Sequence, residues 1–97
     1  MDEKEEIIMK AKIFISDQNP EKALKILTNA LDKHKEDSAI LTELSVVYEF
    51  LEEFDKSKEY LERAIKFDPN FPRAHYIKSM DYQNEGDLEK AEKEFEI

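Results

Sequence analysis

Ninety-seven residues with a formal charge of −9, one glycine, three prolines and no cysteine make a single small domain with a modest buried fraction. Without cysteine, disulfides, thiolate metal sites and cysteine nucleophiles are excluded. An acidic chain without a basic stripe is also a poor match for nucleic acid or an anionic membrane, because phosphate neutralisation supplies most of that affinity.

Taken in chain order, the start MDEKEEIIMK is acidic and lacks a secretory leader's basic n-region and apolar core. No apolar run approaches the roughly 20 residues of a membrane span, so a soluble, cytoplasmic protein is expected. Ala, Leu, Glu, Lys and Ile dominate, as in helical proteins. The regular spacing of Ile, Leu, Phe and Tyr argues against disorder although 40% of residues are charged. The pattern predicts helices near 4–17, 20–34, 38–52, 54–67, 72–85 and 88–96, with no strand.

The breaks between helices differ in their devices. Asp17-Gln18-Asn19-Pro20 offers Asn19 as a cap and Pro20 at the first helical position. Leu51-Glu52-Glu53-Phe54 has neither, so the fourth helix should start least sharply. In Glu85-Gly86-Asp87, Gly86 suits a left-handed backbone and Asp87 a cap.

Laid over itself at an offset of 34, the chain divides into registers 4–37, 38–71 and an incomplete 72–97, forming one domain over 1–97. Small residues fall into columns: Ala11, Ser45 and Ser79; Ala23, Ser57 and Ala91; Ala30 and Ala64. Large ones do the same: Phe14, Tyr48 and Tyr82; Leu27, Leu61 and Phe95; Leu31 and Ile65. Small side chains let paired helices approach, and the aromatic and Leu columns fill the space beside them. These columns are read as core. Acid accumulates along the chain: the net charge is 0 over 4–37, −4 over 38–71 and −3 over 72–97, with −2 from residues 1–3.

The columns, the 34-residue period, the inter-unit segment Phe67-Asp68-Pro69-Asn70 and the run GDLEKAEKEF in the third unit resemble the tetratricopeptide repeat family over residues 4–97. Lys10, Lys78 and His75 depart from the family's apolar or aromatic positions, where looser packing is expected, with the lysine stems lying along apolar surface. The resemblance implies an all-α solenoid of antiparallel helix pairs in a right-handed superhelix. It also implies a concave groove, lined by the first helix of each pair, that holds another protein or peptide.

The resemblance assigns to that groove Glu5, Ile8, Met9, Lys12 and Ile15 from the first unit and Ala39, Thr42, Glu43, Val46, Glu49 and Phe50 from the second. The third gives Arg73, Tyr76, Ile77, Met80 and Gln83. Eight of these sixteen are Ile, Met, Val, Phe or Tyr, which marks either a partner site or extra packing across a tight superhelix. Some members clamp a C-terminal carboxylate with Lys, Asn and Arg. Those positions fall here on Ile8, Lys12, Glu43, Arg73 and Ile77, of which only Arg73 has the needed character, and Glu43 would repel the carboxylate.

No catalytic, cofactor or metal constellation emerges. His34 and His75 lack ligand spacing, and Glu52-Glu53 lies in a polar stretch that offers nothing to shift a pKa. Ser16, Ser38, Ser45, Ser57 and Ser79 sit at packing or boundary positions, and no Gly-rich phosphate loop exists. The last register stops about eight residues short of the 34-residue period. Leu88, Phe95 and Ile97 should therefore form an open, sticky end, either continued by further repeats or covered by a second copy in a homo-oligomer.

Overall fold

The computed structural model describes residues 2–84 and Gly86. Among these, five helices and no strand occur: α1 (Glu3–Ser16), α2 (Pro20–Lys33), α3 (Ser38–Phe50), α4 (Phe54–Phe67) and α5 (Pro72–Asn84). Each lies within two residues of its expected bounds. The expected helix over 88–96, the cap at Asp87 and the sticky end formed by Leu88, Phe95 and Ile97 lie outside the described residues.

Helix starts follow local chemistry. The Asp2 carboxylate accepts from the Glu5 amide at 2.8 Å, Asn19 from Lys22 at 3.4 Å, and Asp37 from Ile40 at 3.1 Å. Pro20 takes the first turn of α2, and Glu53, at the cap position before α4, makes no side-chain cap bond, as the sequence implied. The ends of α1 and α3 close in the same way. Gln18 and Glu52 adopt left-handed backbones at φ 58° and 61°. The next amide then reaches back to the Phe14 carbonyl at 2.7 Å or the Tyr48 carbonyl at 2.9 Å. Gly86, at φ 82°, occupies the same column 34 residues later.

Two apolar clusters hold the layers together. Ala11, Ala23, Leu27 and Ala30 of the first pair enclose Ile40, Leu44 and Val47 of α3. Leu41, on another face of α3, joins Leu61, Ala64, Ala74 and Ile77. Since α3 contributes to both, it is the shared wall of the array, and each of its fully buried Leu or Ile side chains stabilises by roughly 1.5–3 kcal/mol. The small-residue columns are buried throughout the described units. Where both crossing positions are serine, they satisfy each other. The Ser57 hydroxyl donates to the Ser45 carbonyl at 2.8 Å, and the two hydroxyls lie 3.2 Å apart.

The aromatic column is only half-buried, and ammonium groups cover its open edge. Lys22 lies 5.9 Å from the Phe14 ring centre and Lys56 lies 5.4 Å from that of Tyr48. Those two lysines are themselves 34 residues apart.

The unit boundaries are not equivalent. Leu44 and Val47, buried against the first unit, become Lys78 and Asp81 in the third register. The α4–α5 boundary accordingly leaves a cleft of about 220 Å3 lined by Lys58, Leu61, Glu62, Lys78, Asp81 and Tyr82. The looser packing expected at Lys78 is present, but that expected at His75 is not. His75 is buried, with a ring nitrogen hydrogen-bonded to the Pro69 carbonyl, so the imidazole fills an apolar position by giving its polar edge a backbone partner.

Candidate partner-binding groove

Consecutive helices alternate in direction, so α1, α3 and α5 run parallel. Between α3 and α5 lies a cleft of about 240 Å3 lined by Val46, Glu49, Phe50, Arg73, Tyr76, Ile77, Met80, Asp81 and Asn84. Phe50, Tyr76 and Met80 remain 58%, 49% and 44% exposed. The apolar walls exist because α3 and α5 spend their other faces on the core. At helical spacing on the remaining face, Phe50 on α3 and Tyr76 and Met80 on α5 are left facing solvent, with half-buried Val46 at their base. A dry apolar cavity of about 150 Å3 already accepts a benzene ring. The cleft therefore has room for one aromatic or branched side chain.

Seven of the sixteen residues assigned to the groove line this cleft: Val46, Glu49, Phe50, Arg73, Tyr76, Ile77 and Met80. Ile8 and Ile15 are half-buried on α1, and Met9 and Lys12 are exposed; none of these four lines the cleft. The assignment of Thr42 and Glu43 to the exposed groove surface is corrected, because both are fully buried at 0% and 1%. Thr42 turns inward to donate its hydroxyl to the Ser38 carbonyl at 2.7 Å.

Glu43 is held by a guanidinium. The Nε of Arg73 donates to one carboxylate oxygen at 2.5 Å, and an Nη donates to the other at 3.1 Å. This fork is the geometry in which arginine and carboxylate match best. Hydrogen bonding to Glu43 holds the Arg73 guanidinium above its ordinary pKa, against the lowering effect of burial. The pair ties α3 to α5 beside the cleft, engages two of the five guanidinium donors and neutralises the charge that Arg73 would present to an anion.

Helical spacing identifies two lining residues absent from the expected set. Asp81 is one turn beyond Ile77, and Asn84 is one turn beyond Met80. Glu49, Asp81 and Asn84 also line an adjoining cleft that contains Phe54, Ser57 and Lys58. The acidic rim thus separates two apolar hollows, one against Phe50 and the other against Phe54.

Among the described residues no group of three His, Asp or Glu side chains is arranged to hold a metal ion. None of the described helices is long and apolar enough to cross a membrane.

A family model for the tetratricopeptide repeat matches residues 14–80. A solved structure, the second such domain of Spaghetti (RPAP3) bound to the HSP90 peptide SRMEEVD, has a similar fold with a TM-score of 0.73. Sequence identity is 15%, and the match covers 94% of this chain and 84% of that one. No curated protein sequence matches this one.

Proposed function

The chain belongs to the tetratricopeptide repeat family, and from that premise we propose that it is a protein-interaction module, not an enzyme, holding a partner polypeptide in the groove between α3 and α5. One observation carries the reading. Phe50, Tyr76 and Met80 stand 58%, 49% and 44% exposed around a floor of Val46 and Ile77, whose other sides pack on the core. Clusters of this kind on a soluble domain usually mark partner sites, and Met80 adds an adaptable wall.

Val46, Phe50, Tyr76, Ile77 and Met80 supply the apolar contacts, while Ile8, Met9, Lys12 and Ile15 extend the surface along α1. Arg73 acts mainly through Glu43. A terminal carboxylate of the kind in the neighbour's peptide SRMEEVD would meet in the groove a guanidinium already neutralised by Glu43, so recognition rests on side chains along a segment and not on a chain end.

The test is selection of binders from a random displayed 12-residue peptide library on the wild-type chain, followed by binding measurements on Phe50→Asp and Met80→Asp. Loss of at least ten-fold in affinity with unchanged circular dichroism supports the groove. Selected peptides that bind both variants as tightly as wild type place the interaction elsewhere and defeat the proposal.

A further inference from the structure

Electrostatics of the groove narrow the class of partner. Helices α1, α3 and α5 end along one edge, and none has a basic residue in its last turn. By contrast, α2 and α4 carry Lys33 and Lys66 at theirs. Each C-terminus bears roughly half a negative charge from aligned peptide dipoles, and a nearby cation normally offsets it. Here acids gather instead: Asp17 follows α1, Glu49 lies in the last turn of α3, Glu52 and Glu53 follow it, and Asp81 lies in the last turn of α5.

The cation within the cleft does not relieve this field, because Arg73 is already paired with the buried Glu43. Lys56 meets Glu53 at 3.5 Å outside the cleft, and Lys58 lines the Phe54 hollow beside Asp81, while Glu49 itself, on the rim, has no ion pair among the described residues. That rim lies between the hollow at Phe50 and the hollow at Phe54.

Resting on the groove reading above, we propose that the occupant is a basic amphipathic segment, with large apolar side chains seated in the cleft and Lys or Arg over the Glu49 edge. A second copy of this chain, at −9, would meet like charge. An acidic peptide such as SRMEEVD, which binds the structural neighbour, would meet the same repulsion. Like-signed juxtaposition suppresses wrong partners, and opposite charge speeds encounter and fixes register.

The test uses three labelled peptides in fluorescence anisotropy with the full chain. One is a 14-residue amidated peptide with Leu and Phe at i, i+3, i+4 and i+7 and Lys elsewhere. The second replaces every Lys by Glu, and the third is SRMEEVD. The Lys peptide is expected to bind at least ten-fold tighter than either other peptide, and at least three-fold more weakly at 300 mM than at 50 mM salt. Glu49→Lys should weaken the Lys peptide at least three-fold, whereas Asp32→Lys on the exposed side of α2 should change it little.

Equal loss in the two reversals would mean diffuse attraction to an acidic protein and would overturn the proposal. Similar affinities for the Lys and Glu peptides, both weakened by Phe50→Ala, would overturn the charge preference and leave the groove reading standing. Failure of the Lys peptide to bind at 1 mM overturns the proposal as well, and the library selection then decides the groove reading separately.

Discussion

Removing Arg73 probes the tie beside the groove. In Arg73→Met the Glu43 carboxylate, 1% exposed, loses both of its guanidinium hydrogen bonds. Breaking a buried pair from one side typically costs about 3–5 kcal/mol, because the remaining charge is uncompensated. The Arg73 side chain is 38% exposed, so water can enter where the guanidinium leaves, and the expected cost drops to about 2–3 kcal/mol. A domain of this size has roughly 5–15 kcal/mol of stability. With a urea slope near 1.5 kcal/mol/M, the midpoint should fall by roughly 1.3–2 M. Hydrogen exchange should localise the loss first to α5, which the pair ties to α3. Replacing both partners with apolar residues in Glu43→Leu/Arg73→Met should restore stability to within about 1 kcal/mol of wild type. Circular dichroism during urea titration of the four proteins supplies the cycle. A loss below about 0.5 kcal/mol for Arg73→Met, or single effects that simply add in the double variant, would refute the reasoning.

Two further outcomes are expected. Gln18→Gly and Glu52→Gly should each raise stability by roughly 0.5–1 kcal/mol, since both native residues sit in the left-handed region that disfavours a Cβ; a lower urea midpoint for either would contradict this. Stability should also fall in alkali. Burial first, then Tyr60, raises the Tyr48 pKa, and the hydrogen bond and charge of Asp37 raise that of Lys4. The folded state therefore holds both protons more tightly than the unfolded one. The associated stability is complete below the unfolded-state values of about 10 and about 10.4, and is lost as pH rises through the folded values. Urea midpoints at pH 8 and pH 11 check this, and equal midpoints would contradict it.

The array was legible because one period governs several independent residue classes. Ala11, Ser45 and Ser79 repeat with Phe14, Tyr48 and Tyr82, and helix geometry converts that agreement into crossing points and core. The left-handed columns were half legible. Gly86 announced its own backbone, and the period placed Gln18 and Glu52 in the same column, but their side chains give no conformational signal. The Glu43–Arg73 tie was harder to find. The residues are 30 apart, four short of the period, so they pair across units and not within a column. Taken singly, an acid and an arginine on groove-facing helices read as surface. Only the packing of α5 on α3 reveals that one is buried and the other committed to it. The same packing separates Val46, Phe50, Tyr76, Ile77 and Met80, which line the cleft, from Ile8, Met9, Lys12 and Ile15, which do not.

The central claim is that a partner polypeptide sits in the groove between α3 and α5, and backbone amide chemical-shift mapping with a library-selected peptide tests it most directly. The largest changes are expected at Val46, Glu49, Phe50, Tyr76, Ile77 and Met80, with the exposed side of α2 around Lys25, Thr28 and Asp32 unmoved. Changes concentrated on α2 and absent from α3 and α5 would contradict the account.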